Sequence, residues 1–215
     1  MAAVNVLEGD GWSQSFDCDR VFVAAVRGDA QQVRELVQAA GVPFGQIIWS
    51  VVQFTEQYFA LKFLLEVCGT AGVNWCSDAG WTPLAYAVTS CRHEGVRHLR
   101  TVELLLSRGA NPNQRVVNMT YNDTPLQLIH HRDYLSVPAR TRRLISHLLL
   151  RYGAEISPAA TDPYLCKVAA AGGFRAYERA HRARFVVPLA RVVFPRLPVD
   201  MVSHVVAFSF HAGYY

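Results

Sequence analysis

Apolar residues in this chain gather in short blocks separated by turn residues, and two block types recur in a fixed order. The first reads Asp78-Ala79-Gly80-Trp81-Thr82-Pro83-Leu84-Ala85-Tyr86-Ala87. Asp-x-Gly is turn chemistry with Gly80 free to take a positive φ, and Thr-Pro opens a helix because threonine caps it and proline suits its first position. The second block, Val102-Glu103-Leu104-Leu105-Leu106-Ser107-Arg108-Gly109-Ala110, predicts an apolar helix end closed by a glycine just past it. Both return downstream as Asn122-Asp123-Thr124-Pro125-Leu126-Gln127-Leu128-Ile129 and Leu148-Leu149-Leu150-Arg151-Tyr152-Gly153-Ala154. The unit is turn, short helix, connection, second helix, glycine stop. Weaker copies flank these two. Val21–Asp29 with Val33–Val37 forms one, Gly45–Phe54 with Phe59–Glu66 a second, and Pro163–Ala171 with Gly172–Tyr177 a third.

The paired Thr-Pro-Leu and Leu-Leu-x-x-Gly-Ala signatures resemble the ankyrin repeat. The resemblance implies an all-α solenoid, read here as about five repeats with short hairpins over residues 20–180. Residues 1–19 are expected to form an N-terminal cap and 181–215 a C-terminal helical tail. Two departures stand out. The histidine usual after Thr-Pro-Leu is Ala85 in one copy and Gln127 in the other, and each copy is longer than a unit of about 33 residues. The surplus falls around Ser90–Arg100 and His131–Thr141, as loops or helix extensions on one face. Atypical end repeats are expected, since terminal units present a capping face to water.

Composition changes the picture mainly through charge. The chain of 215 residues carries 21 Lys+Arg against 17 Asp+Glu. The split is uneven: residues 1–86 hold nine acids and four bases, the remainder eight acids and seventeen bases. Only Lys62 and Lys167 are lysines. At 51% hydrophobic and 18% charged, the chain is globular in composition rather than disordered. Arg191, Arg196 and Asp200 interrupt its longest apolar region, Phe185–Phe210, which argues against a membrane span. Five cysteines without a C-x-x-C pair read as free thiols, and Met1–Asp10 lacks a signal-peptide pattern. An intracellular protein is expected, cytoplasmic or nuclear, with its Asn118-Met119-Thr120 and Asn122-Asp123-Thr124 sequons unused.

No nucleophile elbow, zinc-protease helix or phosphate loop occurs, and Cys91-x-His93 and His130-His131 lack a second ligand pair. The expectation is a non-enzymatic protein with no cofactor or metal. The ankyrin resemblance implies protein binding at hairpin tips, here Cys76–Trp81 and Gln114–Asp123. Trp81, Arg115, Met119 and Tyr121 are residue types that anchor interfaces, although Trp81 could equally pack between repeats. Arg92, Arg97, Arg100 and Arg108 surround one insertion; Arg132, Arg140, Arg142 and Arg143 surround the other. Stacked, they make a basic flank, with Arg97, Arg100 and Arg140 as candidate partner-binding residues. Arginine suits bidentate recognition of acids, and a solvated face is the alternative. No aromatic-basic interleaving accompanies the flank, which makes nucleic acid the lesser reading.

The tail has its own pattern. Pro198 and Asp200 make a helix start, and Leu197, Met201, Val205 and Phe208 fall on one stripe widened by Val202 and Val206. Leu197-Pro198-x-Asp200 followed by these apolar pairs resembles the opening of an F-box. Ser209 departs from the usual leucine. Truncated boxes of this kind end poxviral ankyrin host-range proteins, and the resemblance implies docking on the Skp-type adaptor of a cullin–RING ubiquitin ligase. The expected function is thus an adaptor that holds a target protein on its repeats and recruits a ligase through Leu197, Pro198, Met201, Val202, Val205, Val206 and Phe208. The alternative is a plain ankyrin scaffold or inhibitor whose last helix caps the stack.

Overall fold

A computed structural model describes residues 18–53, 58–94, 96–131 and 137–211, and among them the chain is almost wholly helical. The helices are α1 (Cys18–Arg27), α2 (Ala30–Ala39), α3 (Phe44–Gln53), α4 (Tyr58–Val67), α5 (Pro83–Glu94) and α6 (Val96–Ser107). A two-stranded hairpin, β1 (Val116–Val117) and β2 (Asn122–Asp123), comes next. Then follow α7 (Pro125–His130), α8 (Ala139–Arg151), α9 (Pro163–Ala170), α10 (Phe174–Val192) and α11 (Val199–His211). Helices α1 to α10 form five consecutive pairs, the all-α repeat architecture that the paired motifs imply.

The local reasons are those written in the motifs. Thr124 caps α7 by accepting from Gln127 N, while the Gln127 side chain accepts from Thr124 N, a reciprocal capping box. Thr82 accepts from Ala85 N at 3.1 Å in the same role for α5. Helices α6 and α8 end on glycines in the left-handed region, Gly109 at φ 90° and Gly153 at φ 93°. Each closes with the same pair of bonds: Ala110 N to Leu105 O and Gly109 N to Leu106 O, then Ala154 N to Leu149 O and Gly153 N to Leu150 O.

Stacking puts α3, α5 and α7 in one row and α4, α6 and α8 in the other. Ile47, Ile48, Leu61, Leu64, Leu84, Leu105, Leu126, Ile129, Ile145 and Leu149 are fully buried in a continuous core that runs from Val21 to Val168. The surplus around Ser90–Arg100 takes the form of helix extension: α5 continues to Glu94 and α6 begins at Val96.

Asparagine side chains fasten one repeat to the next. Asn74 donates to Gly109 O (3.0 Å) and accepts from Asn111 N (2.7 Å). One repeat later, Asn113 donates to Gly153 O (3.0 Å) and accepts from Glu155 N (2.8 Å). Both bridges hold the backbone that leaves a glycine-terminated helix, which would otherwise present unpaired carbonyl and N–H groups.

The C-terminal region differs from the simplest reading of its sequence. The helix that begins at Phe174 runs without a break through Pro188 to Val192. Proline removes one helical hydrogen bond, yet the segment stays helical because Val186, Leu189, Ala190 and Phe194 pack on Val202 and Val206 of α11. These form a second, small core with no residue in common with the first. Among the described residues, no helix is long and apolar enough to cross a membrane.

Candidate functional site

The turn before α5 and the β1–β2 hairpin form one assembly. Ser77 organises the turn: its N–H donates to Trp81 O (3.0 Å), its Oγ accepts from Trp81 N (3.1 Å), and its carbonyl accepts from Gly80 N (2.8 Å). Gly80 sits at φ 79°, and a Cβ placed there would lie 2.6 Å from Val117 O. Glycine is therefore required twice, by backbone conformation and by the closeness of β1. Asn118 shapes the facing loop. Its Oδ1 accepts from Thr120 N and Tyr121 N (2.9 and 2.8 Å), and its Nδ2 donates to Ala79 O across the gap (3.0 Å).

This arrangement decides where the candidate anchors lie. Trp81 is half-buried and meets the Tyr121 ring edge-on at 5.7 Å; Tyr121 in turn meets His131 at 5.3 Å. Trp81 and Tyr121 thus form an aromatic seam between successive repeats, fixed in position yet partly open to solvent. Arg115 is exposed, and its Nη1 donates to both the backbone and side-chain oxygens of Asn122 at 2.9 Å. Met119 stands at the tip, fully exposed. Sequence reasoning brought these four together; it missed Asn118, which holds the loop, and His131, which extends the seam.

The arginines are more dispersed. Arg100 on α6 and Arg140 on α8 are exposed, while the Arg97 side chain lies outside the described residues, as does that of Phe208. Arg108 pairs with Glu66 of the preceding repeat (3.6 Å), so it helps tie the stack together. Arg143 lies over the Tyr164 ring, 5.3 Å from its centre.

Residues 79–116 match the ankyrin repeat. The matched stretch runs from the Gly80 turn through α5 and α6 to the first residue of β1, and so contains half of the hairpin assembly. No curated protein matches the chain. An ankyrin repeat supports a role in protein–protein interaction, and such repeats are typically non-enzymatic modules.

On α11 the apolar stripe is divided. Val202 and Val206 are buried against α10, whereas Leu197, Met201 and Val205 are 39%, 54% and 38% exposed. Pro198 is exposed at the helix start. Val192, Val193 and Val199 add further exposed apolar surface beside them. Among the described residues, no group of three His, Cys, Asp or Glu side chains is placed to hold a metal ion. Burial raises the Cys68 thiol and the Cys76 thiol above the ordinary value, Cys76 with a further push from Asp78, so both stay protonated near neutral pH.

Proposed function

We propose that this protein is an adaptor that holds a partner protein on its hairpin face and recruits a ubiquitin ligase through α11. The divided stripe of α11 carries the second half of that reading. Val202 and Val206 fasten the helix, leaving Leu197, Met201 and Val205 facing water in a Leu-Pro-x-Asp setting. A helix that only covered the stack would turn its largest apolar side chains inward, since each buried one contributes about 1.5–3 kcal/mol. Here Leu197 and Met201 face out, and the occupant that the sequence pattern fits is the Skp-type adaptor of a cullin–RING ligase.

For the first half, Trp81, Tyr121, Arg115 and Met119 combine a fixed aromatic seam with an exposed tip, the composition of an interface centre. The test of ligase recruitment is binding of purified Skp-type adaptor to wild-type protein and to Leu197→Ala/Met201→Ala. Binding by wild type and at least ~10-fold loss in the variant, with unchanged circular dichroism, supports the proposal. Absent binding, or equal binding by both, overturns it in favour of a plain scaffold. Hairpin binding is tested separately by Met119→Ala/Trp81→Ala in the capture of partners from cell extract, followed by binding measurements on each purified partner.

A further inference from the structure

A cleft lies where α7, α8, α9 and α10 meet. His130, Arg142, Arg143, Asp162, Tyr164, Lys167 and Tyr177 line a cleft of about 270 Å³, roomy enough for one oxyanion-bearing side chain. Three features of its walls point to the ligand. Three permanent cations face one carboxylate, so the lining carries 3 − 1 = +2 with His130 neutral. Asp162 is already engaged: its Oδ1 caps α9 by accepting from Tyr164 N and Leu165 N, and its Oδ2 lies 3.6 Å from His130 Nδ1. Among the described residues, neither Arg143 nor Lys167 has a carboxylate partner, and Arg143 rests on the Tyr164 ring.

Tyr164 lines the cleft, with its hydroxyl turned into the protein and out of contact with solvent. That hydroxyl is buried and has no hydrogen-bond partner among the described residues. Burial, reinforced by the nearby Tyr177, raises its pKa well above the ordinary phenol value, so it stays an O–H donor at neutral pH. Tyr164 and Tyr177 meet edge-on at 5.8 Å and give the cleft a rigid aromatic floor. Glu178, on the same helix as Tyr177, is taken up by an ion pair with Arg182. The cleft therefore offers exposed cations and an aromatic floor, with little negative charge to repel an anion.

We propose that this cleft binds a dianionic group on a protein partner, a phosphorylated side chain or a pair of adjacent acidic residues. Arg143 and Lys167, both exposed at the cleft, supply the charge. A phosphoryl group carries about −1.5 to −2 charges at neutral pH, and an adjacent Glu-Glu pair carries two, either of which matches the lining. The site rests on the reading of the repeats as a protein-binding stack, but not on α11 or on the hairpins.

The test is an amide-resolved NMR titration of the full chain with three small probes: acetyl-phosphoserine-amide, acetyl-Glu-Glu-amide and acetyl-serine-amide. Saturable shifts at Arg143, Tyr164 and Lys167 are expected with one or both charged probes, and none with the neutral one. Which charged probe binds identifies the source of the oxyanion. Arg143→Gln/Lys167→Gln should weaken binding at least ~10-fold. Arg27→Gln/Arg100→Gln, which removes the same charge from exposed positions outside the cleft, should leave it within about twofold. The proposal is overturned if neither charged probe gives saturable shifts there, if the neutral probe binds equally, or if both double variants weaken binding alike. Failure would leave partner capture at the hairpins untouched, so the two readings fail separately.

Discussion

Replacing Gly80 by alanine separates two costs that the structure places at one residue. The backbone at φ 79° is left-handed, which for a residue with a Cβ costs about 1–2 kcal/mol. The same substitution would set the new Cβ 2.6 Å from Val117 O and 3.0 Å from Val117 N. Ordinary contact begins near 3.4 Å, so β1 must retreat by most of an ångström or the turn must open. Misfits of this size typically cost about 1–3 kcal/mol more, giving about 2–5 kcal/mol in all. Gly109→Ala is the internal control, because Gly109 has φ 90° and nothing within 4 Å of an added Cβ. It should cost only the first part, about 1–2 kcal/mol. Urea unfolding followed by tryptophan emission measures both, since Trp49, Trp75 and Trp81 all sit in the stack. Equal destabilisation by the two substitutions would refute the close approach of turn and hairpin. If the hairpin is also the binding face, Gly80→Ala should lose partner affinity beyond what its stability loss explains.

Three further outcomes follow from the same structure. Asn113→Ala removes two bridging hydrogen bonds and should cost about 1–3 kcal/mol, and Asn74→Ala about the same, while a change below about 0.5 kcal/mol in either would show that the bridges are incidental. Val206→Asp buries a charge in the small second core and should abolish the helical signal of α11, yet move the tryptophan-reported transition by less than about 0.5 kcal/mol. Acidification should destabilise the stack. Burial holds His147 and His130 below the ordinary 6.5, opposed by Glu178 and Asp162 respectively. The native state thus favours neutral imidazole, and the unfolded chain takes up protons first. The stability is fully present above about pH 6.5 and falls as pH drops toward the depressed native values. Melting temperatures between about pH 7.5 and 5.5 should show this, with a shallower fall in His147→Gln; a flat profile in wild type would refute it.

What could be read in the chain beforehand was local chemistry. Thr124 with Gln127 three residues later is a capping box in sequence as in space, and Gly109 and Gly153 end helices because few other residues tolerate the left-handed region. The asparagine bridges were out of reach for the opposite reason. Asn74 and Asn113 look like turn residues, and their partners lie 35 to 42 positions away, so only the stacking of repeats reveals them. The turn and hairpin positions of Trp81, Arg115, Met119 and Tyr121 were legible, but the choice between an exposed and a packed Trp81 was not, because its half-burial depends on Tyr121 arriving from the next repeat. The cleft under Tyr164 left no trace in spacing, since His130, Arg143, Tyr164 and Tyr177 come from four helices. Pro188 shows packing overriding local preference: proline argues for a break, and contact with α11 outweighs it.

The second core deserves a mechanical reading. At 1.5 Å per residue, the 19 residues of α10 make a rod of about 28 Å. Its first turns belong to the repeats through Phe174 and Tyr177; its last belong to α11 through Val186, Leu189 and Ala190. A rod clamped at one end and carrying α11 as a head at the other behaves as a bracket. Whatever grips the head is held at a set spacing from whatever lies on the stack. The head could be melted, clipped by a protease or exchanged for another without loosening a single buried residue of the repeats. Lengthening or shortening the rod would retune the gap between the stack and α11.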